Sequence, residues 1–160
     1  MFSVTLITVG KLKEKFYLAA AEEYAKRLGA YCKFKLIELN EVRLPDDPNP
    51  TEIAAGLAKE AEAIEANLPK NAWFCVLTPE GKELSSEALA EKFRQVKNSG
   101  KSAACFLIGS SFGIDPRIKL MADFRLSFGP MTFPHHLMRV MALEQIYRAE
   151  TIQAGTKYHK

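Results

Sequence analysis

The sequence predicts an α/β fold: a single domain built on a parallel-type sheet with helices on both faces. Three observations point there. Short apolar or β-branched runs alternate with helix-length amphipathic stretches along all 160 residues. Several of the runs are almost continuously apolar, as strands buried on both faces must be. No composition break and no internal repeat divides the chain, so residues 1–160 read as one domain, large enough to bury a core.

Residues 2–9 form a β-branched, apolar run that stops at Gly10 and reads as a buried strand. A basic connection, 11–15, follows it. Phe16, Ala20, Tyr24 and Leu28 then recur every fourth residue, one stripe of an amphipathic helix, with Gly29 as its stop. Residues 32–39 set Phe34, Leu36 and Cys32 against Lys33, Lys35 and Ile37, a second strand less completely buried than the first. Residues 40–50 hold three prolines and two aspartates and read as a loop, expected to be mobile.

Asn49-Pro50 restarts a helix with Ile53, Leu57, Ala61, Ile64 and Leu68 along one stripe, closed by Pro69. Residues 72–77 are a central strand, ending at the polar turn 78–82. Ser85 or Ser86 can cap the next helix, in which Leu89, Phe93 and Val96 face inward. Residues 103–108 are another buried strand, stopped by the small-residue turn 109–113. A short helix begins near Asp115-Pro116, and 124–127 is the fifth strand. A turn at Gly129-Pro130 leads to the last helix, 134–149. It opens at Pro134 because proline's fixed φ and missing N–H suit a first helical position.

Composition bounds the function. Apolar content of 48% and charged content of 26% are ordinary for a soluble globular protein. No run is long enough to span a membrane, and the first residues lack the pattern of a secretory signal, so the expected location is the cytoplasm. Cys32, Cys75 and Cys105 are odd in number and widely spaced, and read as reduced core residues rather than a disulfide frame or zinc site. A net charge of +3 is modest, but residues 11–35 hold seven Lys/Arg against three acids, while 41–65 hold two against seven. A basic end of that kind suits a phosphate backbone or a solvated helix face.

The candidate site lies at the carboxyl ends of the strands, where parallel α/β sheets bind ligands. Three loops fall at that edge: 77–82, 109–113 and 128–133. They converge on one ligand only if their strands are neighbours. The last loop, Phe128-Gly129-Pro130-Met131-Thr132-Phe133, runs directly into His135, His136 and Arg139. An apolar loop with free backbone groups beside charged side chains reads as the wall of a binding site. His135-His136 equally fits an exposed surface pair, and adjacent histidines point apart on a helix, so no metal site is expected. Glu144 and Arg148 fit an intrahelical ion pair. The apolar residues of the last helix are spread over more than one face, which fits either burial or a subunit interface; the interface is the expectation. The segment 155–160 would ordinarily fray, yet Tyr158, His159 and Lys160 suggest that it docks. No nucleophile-elbow or phosphate-loop motif is present.

Specific motifs narrow this further. Gly10-Lys11-Leu12-Lys13-Glu14, Gly81-Lys82, Ile108-Gly109, Leu126-Ser127-Phe128, Met131-Thr132-Phe133-Pro134-His135, Met138-Arg139-Val140, Glu144 to Ala149 and the terminal Tyr158-His159-Lys160 resemble the RlmH family over essentially the full length. These are SPOUT-class methyltransferases of the large-subunit (23S) ribosomal RNA that act on pseudouridine N3. One departure is Ser110, where the family usually has a second glycine.

The resemblance implies a SPOUT fold with a C-terminal trefoil knot, a homodimer, and S-adenosylmethionine as cofactor. It implies cofactor contacts at Leu77, Gly109, Phe128, Gly129, Pro130, Met131, Thr132 and Phe133. The implied substrate is 23S rRNA within the assembled 70S ribosome, with no DNA or membrane partner. Catalytic candidates are His135, Arg139, Tyr158 and His159, with Arg139 and the tail expected to hold the nucleotide and the base left open. The alternative is a catalytically inactive RNA-binding SPOUT module, for which Ser110 is the only support.

Overall fold

A computed structural model describes residues 1–160. Its centre is fixed by two strands in which almost every residue is buried, β1 (Ser3–Val9) and β4 (Ala103–Ile108). Successive side chains in a strand point to opposite faces, and here both faces are apolar. Ala104, Phe106 and Ile108 enter one core, Cys105 and Leu107 the other. β3 (Ala72–Glu83) behaves the same way, with Trp73 and Cys75 on one side and Phe74 and Val76 on the other.

With β2 (Lys33–Leu39) and β5 (Phe124–Ser127), these form a five-stranded sheet in the order β2-β1-β4-β3-β5, every neighbouring pair parallel. The edge position of β2 explains why only its Phe34, Ile37 and Leu39 are partly covered. β5 is short but pinned at its start: Asp123 accepts the Phe74 N–H through Oδ2 at 2.8 Å, and donates its own N–H to the Phe74 carbonyl at 2.8 Å.

Helices α1 (Lys15–Leu28), α3 (Ser86–Asn98) and α5 (His135–Gln153) cover the face with the larger core, while α2 (Pro50–Asn67) and α4 (Pro116–Met121) cover the other. Their starts follow their caps. Asn49 and Glu52 form a reciprocal capping box at α2, Ser85 accepts the Ala88 N–H at α3, and Asp115 accepts the Arg117 N–H at α4. On the larger face Phe93 packs against Phe106 at 5.6 Å between ring centroids, and Trp73 meets Phe106 edge-on at 5.9 Å.

Several expectations are corrected. The stripe through α1 does not hold at its start: Phe16 is largely exposed, and Ala21 and Leu28 carry the burial. Gly29 ends α1 in a right-handed conformation, not as a left-handed stop. β3 does not end at residue 77: it bulges and pairs with β5 again at Lys82 and Glu83. Pro134 is the cap of α5, one residue before the helix, and α5 runs on to Gln153. α5 packs between α1 and α3, where its Leu143 and Ile146 are buried, while Leu137, Val140, Met141 and Tyr147 are only partly covered. All three cysteines are buried and unpaired; burial pushes the Cys32 and Cys105 thiols up to about 12. No helix is long and apolar enough to cross a membrane.

Candidate active site

Because β4, β3 and β5 are neighbours, the loops that follow them come together. They enclose a cavity of about 270 Å³ lined by Leu77, Gly109, Phe128, Gly129, Met131, Thr132 and Phe133, seven of the eight residues expected to contact a cofactor. Pro130 does not line it. His135 does, from the first turn of α5.

Local chemistry fixes each wall. At Gly109 a Cβ would lie 2.5 Å from the Gly113 carbonyl oxygen and 2.5 Å from Ile114 Cγ1, so the turn closes only over glycine. Gly129 takes φ +111°, open to few other residues, and reverses the chain after β5. Ser127, buried beneath, ties two of the loops together: its hydroxyl donates to the Pro79 carbonyl at 3.0 Å and accepts the Gly129 N–H at 3.1 Å. Gly81 lies so close to β5 that a Cβ there would fall 2.7 Å from the Arg125 carbonyl. Ser110 is buried and has no left-handed φ, so this departure from glycine costs the turn nothing in backbone strain.

Around an apolar wall of Leu77, Ile108, Ile114, Leu126 and Phe128, the cavity presents Thr78, Ser110, Ser111 and Thr132. Its one formal cation, Lys119, is paired with Glu80 at 2.5 Å. That contact, first, and the Thr78 hydroxyl hold the Glu80 carboxyl down at about 2. Desolvation lowers the His135 imidazole below its usual value, only partly offset by Glu41, which favours the uncharged ring near neutral pH. Apolar walls with scattered hydroxyls and a neutralised cation fit a small ligand with both apolar and hydrogen-bonding parts.

The other candidates are placed elsewhere. Arg139 is 3% exposed and donates to Glu38 Oε2 at 2.6 Å and to the Gly10 carbonyl at 2.9 Å, tying α5 to the ends of β1 and β2. It borders an adjoining basin and not the cavity. His136 is bonded to Glu14 at 2.8 Å. The tail docks, as expected, but away from the cavity. Tyr158 donates to Glu144 at 3.1 Å and packs edge-on against Tyr147, and His159 lies 2.7 Å from Glu87. Glu144 and Arg148 form the expected ion pair beneath it.

Sequence reasoning missed the Glu80–Lys119 pair, which spans 39 positions and leaves no local signal. It also missed Glu60, a buried carboxylate in α2 that accepts the Val42 N–H at 2.9 Å and so anchors the loop 40–49.

Comparison with known proteins agrees with the fold. The chain is 47% identical over 157 residues to a protein of Bifidobacterium adolescentis named ribosomal RNA large subunit methyltransferase H, covering 98% of this chain and 99% of the relative. A protein of the same name from Clostridium novyi is 44% identical over 158 residues, covering 99% of each. The crystal structure of a tRNA (m1G37) methyltransferase from Aquifex aeolicus superposes with a TM-score of 0.56 at 14% identity, covering 98% of this chain and 73% of that one, a likeness of fold alone. The family described as "Predicted SPOUT methyltransferase" matches residues 2–159. With the match running over nearly the whole sequence and the three loops of the sheet edge meeting at one cavity, the chain belongs to the SPOUT methyltransferase family.

Proposed function

We propose that this protein transfers a methyl group from S-adenosylmethionine to N3 of a pseudouridine in 23S ribosomal RNA. It does so on the assembled 70S ribosome, in the cytoplasm, as a homodimer whose C-terminal segment is tied in a trefoil knot. The observation that carries the reading is the convergence of loops 77–82, 109–113 and 128–133 on one apolar, hydroxyl-bearing cavity with His135 in its lining. The names of the full-length relatives support rRNA as the substrate class.

S-adenosylmethionine brings its own activated methyl group, so the chain's task is to align and to shield. Leu77, Ile108, Ile114 and Leu126 would hold the donor against an apolar wall that excludes water, and Ser127 keeps loops 77–82 and 128–133 in register. Alignment of this kind is worth roughly 7–11 kcal/mol for well-placed reactants. The pseudouridine N3–H must lose its proton as the methyl arrives. His135, which lines the cavity and whose ring is favoured uncharged near neutral pH, is the acceptor this reading assigns. Arg139 acts as a positioning residue, fixing Gly10 and the loop after it against α5. Tyr158 and His159 lie outside the cavity of their own chain, so their part in transfer is across the homodimer.

Mapping modified nucleosides in 23S rRNA from cells with and without the protein tests the function. One N3-methylated pseudouridine should disappear with the protein; an identical modification pattern in both would end the proposal.

A further inference from the structure

The geometry points to a second seat, for an anion, beside the cavity: the basin between the β1–α1 loop and the first turn of α5 holds a backbone phosphate of the RNA that carries the target nucleotide. The inference rests on the rRNA reading above and adds to it the place where the backbone is gripped.

The basin, about 530 Å³, is bordered by Thr8, Gly10, Lys11, Lys13, His135 and Arg139, and shares Ile108, Gly109, Ser111 and His135 with the cavity. Three independent features suit it to a phosphate. Lys11 and Lys13 reach it without a carboxylate partner anywhere in the structure. The buried Thr8 Oγ1 and Arg139 Nε have no hydrogen-bond partner, and both residues border the basin. A buried polar group left without a partner is unfavourable, and a bound acceptor relieves it. Finally, α5 begins here without a side-chain cap, and its first intrahelical bond is from the Met138 N–H to the Pro134 carbonyl. The N–H groups of His135, His136 and Leu137 therefore lack an intrahelical acceptor at the positive end of the helix dipole.

The opposing charges are accounted for. Glu41 faces the basin but accepts from the Ser111 hydroxyl at 2.7 Å and its N–H at 3.4 Å. Glu38 is paired with Arg139, and Glu14 with His136. With Arg139 neutralised by Glu38, Lys11 and Lys13 still outnumber Glu41 among the bordering residues, so the seat is positive. A phosphodiester, rather than a free nucleotide, fits because both lysines lie on an exposed loop that continues to the exposed Lys15, a strip that can follow a chain.

The test is the Lys11→Ala/Lys13→Ala double variant, assayed for methyl transfer to 70S ribosomes across a salt series, with S-adenosylmethionine affinity measured in parallel. The expected result is a rise of about tenfold in KM for ribosomes and a salt dependence of KM shallower by about 0.7 in log–log slope, the value for one phosphate contact. Cofactor affinity should not change. Thr8→Val, which removes the orphaned hydroxyl without changing charge, should raise KM by a smaller factor. Unchanged KM and slope in both variants would overturn the seat. If the wild type itself transfers no methyl to ribosomes, the rRNA reading fails instead. The seat is then read by titrating inorganic pyrophosphate against backbone amide NMR shifts: shifts at Gly10, Lys11 and His135 that vanish in the double variant support it, and their absence in the wild type overturns it.

Discussion

At the scale of single residues, the site depends on side chains whose surroundings change their chemistry. His135 should serve in its neutral form. Desolvation depresses its pKa below the ordinary imidazole value of 6.5, so the acid limb of the rate profile should turn below that value. Transfer should be sustained as pH falls to 6.5 and lost only as pH falls further, through the depressed pKa. His135→Ala should lower kcat by about 10²–10⁴-fold, the usual contribution of a positioned base, with little change in cofactor affinity. An unchanged rate and profile would assign the proton to another group. Arg139→Ala leaves Glu38 and the Gly10 carbonyl without their donor, at about 1–3 kcal/mol. Thermal unfolding should therefore show a Tm several degrees lower, alongside weaker transfer. A full-stability variant that had lost only transfer would move Arg139 from positioning to direct contact with the nucleotide.

At the scale of elements, the cavity is held by links between loops that are far apart in sequence. Glu80 and Lys119 join loop 77–82 to α4. Lys119, and after it Thr78, hold the folded Glu80 carboxyl down at about 2, below the ordinary carboxyl value of 4.5. The contribution of the pair is in place above 4.5 and is lost as pH falls from there toward 2. Because Glu80 is more than half exposed, that contribution is at most about 1 kcal/mol. Denaturation of Glu80→Gln should show a small deficit at pH 7 that closes against the wild type near pH 2; a deficit independent of pH would contradict the assignment. Removing residues 158–160 should reduce turnover more than stability, since the tail lies on α5 and α3 without entering either core. An insoluble product would mark the tail as structural. The elements themselves were largely legible. Buried parallel strands announce themselves as apolar runs, which is why β4 is legible to the residue, and helical spacing does the same for the inward Leu89, Phe93 and Val96 of α3. What periodicity missed was set by tertiary contact. Phe16 keeps the helical spacing of a core residue but begins α1 beyond the edge of the sheet's cover, and β3 resumes pairing only because β5 lies alongside Gly81.

At the scale of the whole molecule, strand order decides everything else. The sequence named three loops at one edge of a sheet but not whether their strands were adjacent; the order β2-β1-β4-β3-β5 makes them so. Seven of eight cofactor candidates then fall on one cavity, while Arg139 and the tail fall outside it. That difference has a physical root. Loop residues at a strand end share a place fixed by the sheet, whereas the partner of a helix side chain depends on which neighbour packs against it, and a terminal segment depends on the assembly. Hydrogen exchange with and without S-adenosylmethionine tests the account most directly. Binding should slow exchange in 77–82, 109–113 and 128–133 together and leave the edge strand β2 unchanged. No protection at saturating donor, or protection confined to a surface away from these three loops, would contradict it.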